Sequence, residues 1–274
     1  RMRLGLVLRP GTESDEARVA EQHACALVAV DTDRGGAFPA AAAVAVATRH
    51  VRIVVPVHLG ADHPVTLAED VAVLDNLSGG RVVALVDTGD LDQEAAAEDL
   101  SLLRASLRAR PVRHRGARWQ VPAGIEGHEA PDAVQVTPKP VQVSVPLWLT
   151  GAAAPVLGAS SGVVVLADAA VGPDAMADVQ PALLEIGGTE ATLDADRDAV
   201  VALAAAGATH TLLRAPDPTG AALLVARFLI PEVGMTGFPR VVAETMLPPT
   251  WPGPARYVGG PEDRGADVVK GARA

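Results

Sequence analysis

Eight short apolar runs constrain this chain more than any other feature. They are RLGLVL (3–8), ALVAVD (26–31), VRIVVPVHL (51–59), RVVALVD (81–87), VPLWLTG (145–151), GVVVLAD (162–168), PALLEIG (181–187) and THTLLRA (209–215). Each is continuously apolar rather than alternating, the pattern of strands covered on both faces in a parallel sheet. Between most of them lie stretches of helical character at 13–24, 38–50, 64–77, 93–109, 194–207 and 217–233. Eight strands alternating with helices predict a (β/α)₈ TIM-like barrel. An open doubly wound sheet usually has fewer strands and needs a switch point. The segments after the fifth and sixth strands run to only about ten to fifteen residues, near the minimum for a parallel crossover. The barrel is therefore expected to be trimmed there.

The chain's 274 residues suit one such barrel. Hydrophobic residues make up 49% of it, so a large core is within reach, yet aromatics are only 3%. That core must be Ala, Val and Leu, which favours close helix-on-sheet packing. Two stretches fall outside the repeat. Residues 110–144 are rich in Pro and Gly and read as an excursion between the fourth helix and the fifth strand. The expected organisation is a single barrel domain over 1–238, followed by a Pro/Gly-rich tail over 239–274.

Charge and cysteine usage narrow the function classes. The formal net charge is −10, a sign that repels phosphate backbones, and no basic stripe interleaves with aromatics. Nucleic acid is not an expected partner. The densest basic segment, 104–118, reads either as a solvated helix end and loop or as an anion site. Cys25 is the single cysteine, so no intrachain disulfide can form, and a reducing, cytoplasmic setting fits. No apolar run reaches about 18 residues, so no membrane span is expected. Heavy use of Ala, Val and Arg is common in high-GC bacterial genomes. No H-E-x-x-H, C-x-x-C or G-x-S-x-G pattern occurs, which argues against a zinc site and a serine hydrolase.

The stretch HPVTLAEDVAVLDNLSGGR (63–81) is the most informative motif. Val65, Leu67, Ala68, Val71, Ala72 and Leu74 form one helical stripe. Gly79 and Gly80 permit positive φ and a quick reversal into the next strand. Arg81 then stands at the strand's N-terminal end, at the bottom of the barrel. His63 reads as a capping or packing element.

This motif, continued through VVALVDTG, resembles the pattern of the bacterial luciferase-like monooxygenase family. There a His-Pro helix start leads through Leu-Asp-x-Leu-Ser-x-Gly-Arg into the fourth strand. MRLGLVL is similar to the family's first strand and TRHVRIVVPV to its third. VQVTPKPVQVSVPLWLTG resembles its approach to the fifth strand, and AAAGATHTLLRAPD its last helix and strand. The resemblance is piecemeal but ordered over most of 2–230. It implies a TIM-like barrel, often a dimer, that uses reduced FMN for oxygen insertion or a deazaflavin for hydride transfer on a small organic substrate.

Barrel chemistry sits on the loops leaving the C-terminal ends of the strands. After the second strand, where the family pattern has an acid followed by His, stand Asp31 and Thr32. The acid is retained, but threonine has no pKa near neutrality and cannot act as a general base. His58, ending the third strand, offers an imidazole from next door, or else bonds a loop carbonyl. Asp31 and His58 are the candidate catalytic residues. Thr32, Asp87 and Thr88 are candidate substrate ligands. The resemblance places a cofactor phosphate near Thr150 and Gly151, where Pro155 removes one N–H donor. Gly187 and Gly188 form a second possible cradle, or simply a tight turn. The departures at Thr32 and Pro155 leave two readings open. One is an enzyme using FMN or a deazaflavin. The other is a degenerate, cofactor-free barrel acting as a partner subunit or small-molecule binder.

Overall fold

The computed structural model describes residues 2–31, 36–124, 131–168 and 181–233. All eight predicted strands are present. They are β1 (Arg3–Leu8), β2 (Leu27–Val30), β3 (Arg52–His58), β4 (Val82–Asp87), β7 (Leu147–Thr150), a strand broken into β8 (Val164–Val165) and β9 (Ala167–Asp168), β10 (Pro181–Glu185) and β11 (His210–Arg214). Every pairing among them is parallel, in the order β8-β7-β4-β3-β2-β1-β11-β10-β9. The broken strand joins the two ends of this row. Trp148 pairs with Val164 on one side, and Leu183 pairs with Asp168 on the other. Between them the Leu166 N–H donates to the Leu149 carbonyl at 2.8 Å. The result is a nearly closed eight-stranded parallel TIM-like barrel.

Helices α1 (Glu13–Gln22), α2 (Ala37–Ala47), α3 (Pro64–Ser78), α4 (Gln93–Leu107), α5 (Ala154–Ser161) and α6 (Leu193–Ala205) cover the ring. The helix after the fifth barrel strand, α5, has only 8 residues, the expected trimming. The crossover after the sixth falls on 169–180, outside the described residues. The predicted helix at 217–233 is less regular than expected. It begins as α7 (Pro218–Leu224), widens into a π turn at Val225–Leu229 and ends as α8 (Ile230–Val233). The tail at 239–274 also lies outside the described residues. None of the described helices is long and apolar enough to cross a membrane.

Two apolar layers result from strict alternation along the strands. Val7, Leu27, Ala29, Val54, Val83, Trp148 and Leu212 fill the barrel interior, with Leu85, Leu166 and Leu183 packed against them. Their sequence neighbours point outward into a larger cluster with the helices, where Ala41, Ala45, Ala68, Ala96 and Ala154 let the helix backbones come close.

The 63–81 motif proves to be a fastening at the barrel's base. Gly79 takes φ +68° as the C-cap of α3 and Gly80 takes φ +85°. Arg81 spreads its guanidinium over the end of α2. Nη1 donates to Thr48 Oγ1 and the Val51 carbonyl, and Nη2 donates to the Ala45 and Thr48 carbonyls. The Ala45 and Thr48 carbonyls are among those that a helix end leaves without intrahelical donors. Asp75, fully buried, accepts from the backbone and side-chain N–H groups of Gln142 at 2.9 and 2.7 Å. His63 caps α3 by accepting from the Val65 N–H.

The excursion after α4 is pinned to the outside of the barrel. A small hairpin, β5 (His114–Arg115) and β6 (Gln120–Val121), lies against α4. Glu98 accepts from the backbone N–H groups of Ala117, Arg118 and Trp119 and from His114. Burial opposes ionisation of this carboxyl, but those donors outweigh it and bring the pKa down to about 2. Asp99, fully buried, takes the Arg118 guanidinium. Leu102, Val112, Val121 and Val136 form a satellite core beneath. The basic segment is thus structural at Arg118. Arg104 donates to the Ser161 carbonyl, bordering a cavity of about 310 Å³ between α4 and α5 on the outer surface.

Candidate active site

The strand alternation that fills the interior also selects what faces the mouth. Counting in twos from interior residues, Ala29 leads to Asp31, Val54 to His58, Leu85 to Asp87, Trp148 to Thr150, Leu183 to Glu185 and Leu212 to Arg214. These six positions ring the C-terminal rim. Pro56, Leu85, Leu166 and Leu183 face inward just below and are only half-buried, so the floor under the ring is apolar and open.

The ring divides into two polar groups. On one side, His58, Asp87 and Thr150 are direct register partners across β3, β4 and β7. His58 Nδ1 lies 3.1 Å from Asp87 Oδ2. Asp87 is itself held, its Oδ1 accepting the Gly89 N–H at 3.0 Å. An ionised carboxylate only accepts, so the proton between them belongs to Nδ1, leaving the Nε2 lone pair free. Nε2 is buried and has no partner. On the other side, Arg214 reaches Asp31 Oδ2 at 3.2 Å and Glu185 Oε1 at 3.4 Å.

The overall fold recurs in solved structures. A coenzyme F420-dependent tetrahydromethanopterin reductase from Methanopyrus kandleri superposes with a TM-score of 0.67 at 15% identity, covering 85% of this chain and 99% of that one. The monooxygenase RslO1 from Streptomyces bottropensis gives a TM-score of 0.63 at 17% identity, covering 84% and 99%. At such identities the likeness establishes the fold. Among curated proteins no sequence matches the chain. The family's own sequence pattern, described as luciferase-like monooxygenase, matches residues 9–212. The chain belongs to the luciferase-like monooxygenase family.

Within that family frame, the residues singled out from sequence fall into four groups. His58, Asp87, Thr150 and Asp31 reach the mouth, although Asp31 pairs with Arg214 rather than with His58. Thr88 and Gly151 stand behind it. Thr88 is fully buried and its Oγ1 accepts the Ala153 N–H at 3.3 Å. Gly151 has φ +95°, and a Cβ there would meet Thr88 Oγ1 and Asp87 Oδ1. Thr32 lies outside the described residues.

Gly187 and Gly188 do form an anion cradle, but it is already filled. Their N–H groups donate to Asp196 Oδ1 and Oδ2 at 3.1 and 2.9 Å, and Thr192 Oγ1 adds a third bond. The chain's own carboxylate, on the first turn of α6, sits where a phosphate would have to sit. The α5 end differs. Its N-terminus has no side-chain cap, and it follows Thr150 and Gly151 directly. The N-terminal end of α5 is thus left without a carboxylate of the kind that fills the Gly187–Gly188 turn. Donors there are few: the Ala153 N–H is bonded to Thr88 Oγ1, the Ala154 N–H to the Gly151 carbonyl, and Pro155 has none.

Sequence reasoning missed Glu185 and Arg214. Both end strands that were identified, and both are two residues beyond an interior leucine, so the period-2 count would have found them. At the opposite end of the barrel, His210 is paired in register with Arg3. Burial, with the charges of Arg3 and Arg52, lowers its pKa to about 4.

Proposed function

We propose that this protein is an oxidoreductase that works at the C-terminal mouth on a small organic substrate, with FMN or a deazaflavin as redox partner. The observation that carries this reading is the His58–Asp87 pair. An imidazole is oriented by a carboxylate, its second nitrogen is buried and unpartnered, and both stand on rigid adjacent strands where barrel chemistry is done. The family's usual imidazole position is Thr32 here, and His58 supplies the same group from the neighbouring strand.

A flavin or deazaflavin bound in the mouth would take up or deliver the electron pair. The protein's part is to hold it and to move a proton. The backbone at Thr150 and Gly151, with the first turn of α5, would hold the anionic tail. His58 Nε2 accepts a substrate proton, and Asp87 stabilises the resulting imidazolium across its 3.1 Å contact. The apolar floor of Pro56, Leu85, Leu166 and Leu183 excludes water from the substrate. For the chain's assembly, the outward face of α2 and α3 exposes Val46, Val73 and Leu77, and it supports pairing through these helices into a dimer.

A second reading, a cofactor-free binder or partner subunit, is favoured by the filled α6 cradle and by Pro155. Flavin and deazaflavin fluorescence separate the two. Quenching at micromolar protein supports the oxidoreductase. No binding of either by folded protein supports the binder.

A further inference from the structure

Among the described residues, three buried side-chain nitrogen or oxygen atoms have no hydrogen-bond partner: His58 Nε2, Ser106 Oγ and Arg214 Nε. Ser106 lies in α4, away from the mouth. The other two belong to the six-residue ring, one on each side of it. A buried donor or acceptor left unpaired costs about 1–3 kcal/mol. Two such atoms at one opening mark where a ligand's polar atoms go.

Arg214 specifies what kind of atom. Each terminal nitrogen spends one N–H on a carboxylate, Nη2 on Asp31 and Nη1 on Glu185, while Nε–H is buried with no partner at all. Two carboxylates around one guanidinium leave this side of the ring net negative, and Asp87 adds a further acid opposite. A ligand anion arriving at Nε–H would be repelled by Asp31 and Glu185. A carbonyl or hydroxyl oxygen would not, and would satisfy the donor. Resting on the reading of this mouth as the active site, we propose that Arg214 determines substrate specificity. It donates Nε–H to an uncharged carbonyl or hydroxyl oxygen while His58 Nε2 faces the substrate's proton-bearing atom. The mouth thereby selects neutral oxygenated molecules over carboxylates and phosphates.

The test uses three probes that share one ring and differ in head group: cyclohexanone, cyclohexanol and cyclohexanecarboxylate. Each is titrated into the ¹⁵N-labelled protein without cofactor. The Arg214 Nε–H resonance, assigned by its absence in Arg214→Lys, is followed together with the dissociation constant. Cyclohexanone and cyclohexanol are expected to shift that resonance and to bind at least about tenfold more tightly than the carboxylate, the effect of one charge-assisted hydrogen bond. Arg214→Lys keeps the charge but loses Nε–H, and it should weaken cyclohexanone about tenfold. Glu185→Gln removes one repelling charge and should narrow the preference against the carboxylate.

Tighter binding of the carboxylate, a bound ketone that leaves the Nε–H resonance unmoved, or binding of none of the three would overturn the proposal. If the ketone preference holds while neither FMN nor deazaflavin binds, the oxidoreductase reading fails and this inference stands. A redox-active protein whose ketone affinity ignores Arg214 is the reverse case.

Discussion

His58 and Asp87 stand opposite each other in the β3–β4 register, and their side chains meet 3.1 Å apart at the barrel's C-terminal rim. The contact fixes both the ring's orientation and its tautomer. His58→Ala should therefore lower kcat by about 10² to 10⁴-fold, the range for loss of a general acid or base. Cofactor affinity and the circular dichroism spectrum should stay unchanged. Asp87→Asn lets an amide donate to Nδ1 and strands the proton on Nε2, so a loss of comparable size is expected. Steady-state kinetics of both variants check this, and full activity in His58→Ala would remove the residue from the chemistry.

The Asp196 carboxylate occupies the N–H pair of Gly187 and Gly188. Asp196→Ala should leave two donors unpaired and destabilise the fold by about 1–3 kcal/mol. It should also create an anion site, so millimolar phosphate should raise the Tm of this variant and leave that of the parent unchanged. Thermal melts with and without phosphate measure both effects.

Arg81 ties strand β4 to the end of α2 through its bonds to Ala45, Thr48 and Val51. Arg81→Ala strips donors from these carbonyls together and should cost about 2–4 kcal/mol in urea unfolding. Activity at saturating substrate, measured where the variant is folded, should be retained, because the residue sits at the far end of the barrel from the mouth.

Stability should fall with acid in two stages. His210 has a folded pKa of about 4, below its ordinary 6.5, so the unfolded chain takes up its proton first. Its contribution to stability is lost as pH drops from about 6.5 to about 4. Glu98 has a folded pKa of about 2 against an ordinary 4.5, so its contribution is present above 4.5 and lost as pH falls toward 2. Unfolding free energies measured against pH should show the upper slope flattened in His210→Phe. The lower slope should flatten in Glu98→Gln, with Trp119 fluorescence reporting release of the hairpin.

Much of this architecture was legible in the chain. The eight continuous apolar runs gave the strands because a strand buried on both faces leaves no room for polar residues. Gly79 and Gly80 marked the α3–β4 turn because only glycine takes that backbone at low cost. His58 and Asp87 were visible as strand-end residues, but not as partners. Sequence spacing does not reveal that β3 and β4 align so that residues 58 and 87 fall side by side.

The same limit explains the Gly187–Gly188 cradle. The sequence determines that two adjacent glycines precede a helix, and such a turn can hold an anion. Tertiary structure alone decides that Asp196, nine residues beyond Gly187, folds back on the first turn of α6 and takes the place. Arg214 illustrates the point from the other direction. Its position on β11 follows from the alternation of the last strand. Its partners Asp31 and Glu185 come from sequence positions 183 and 29 residues away, brought together only because the barrel closes. Local sequence sets which way a side chain points. Closure of the ring sets what it meets, because those contacts join residues that no local pattern connects.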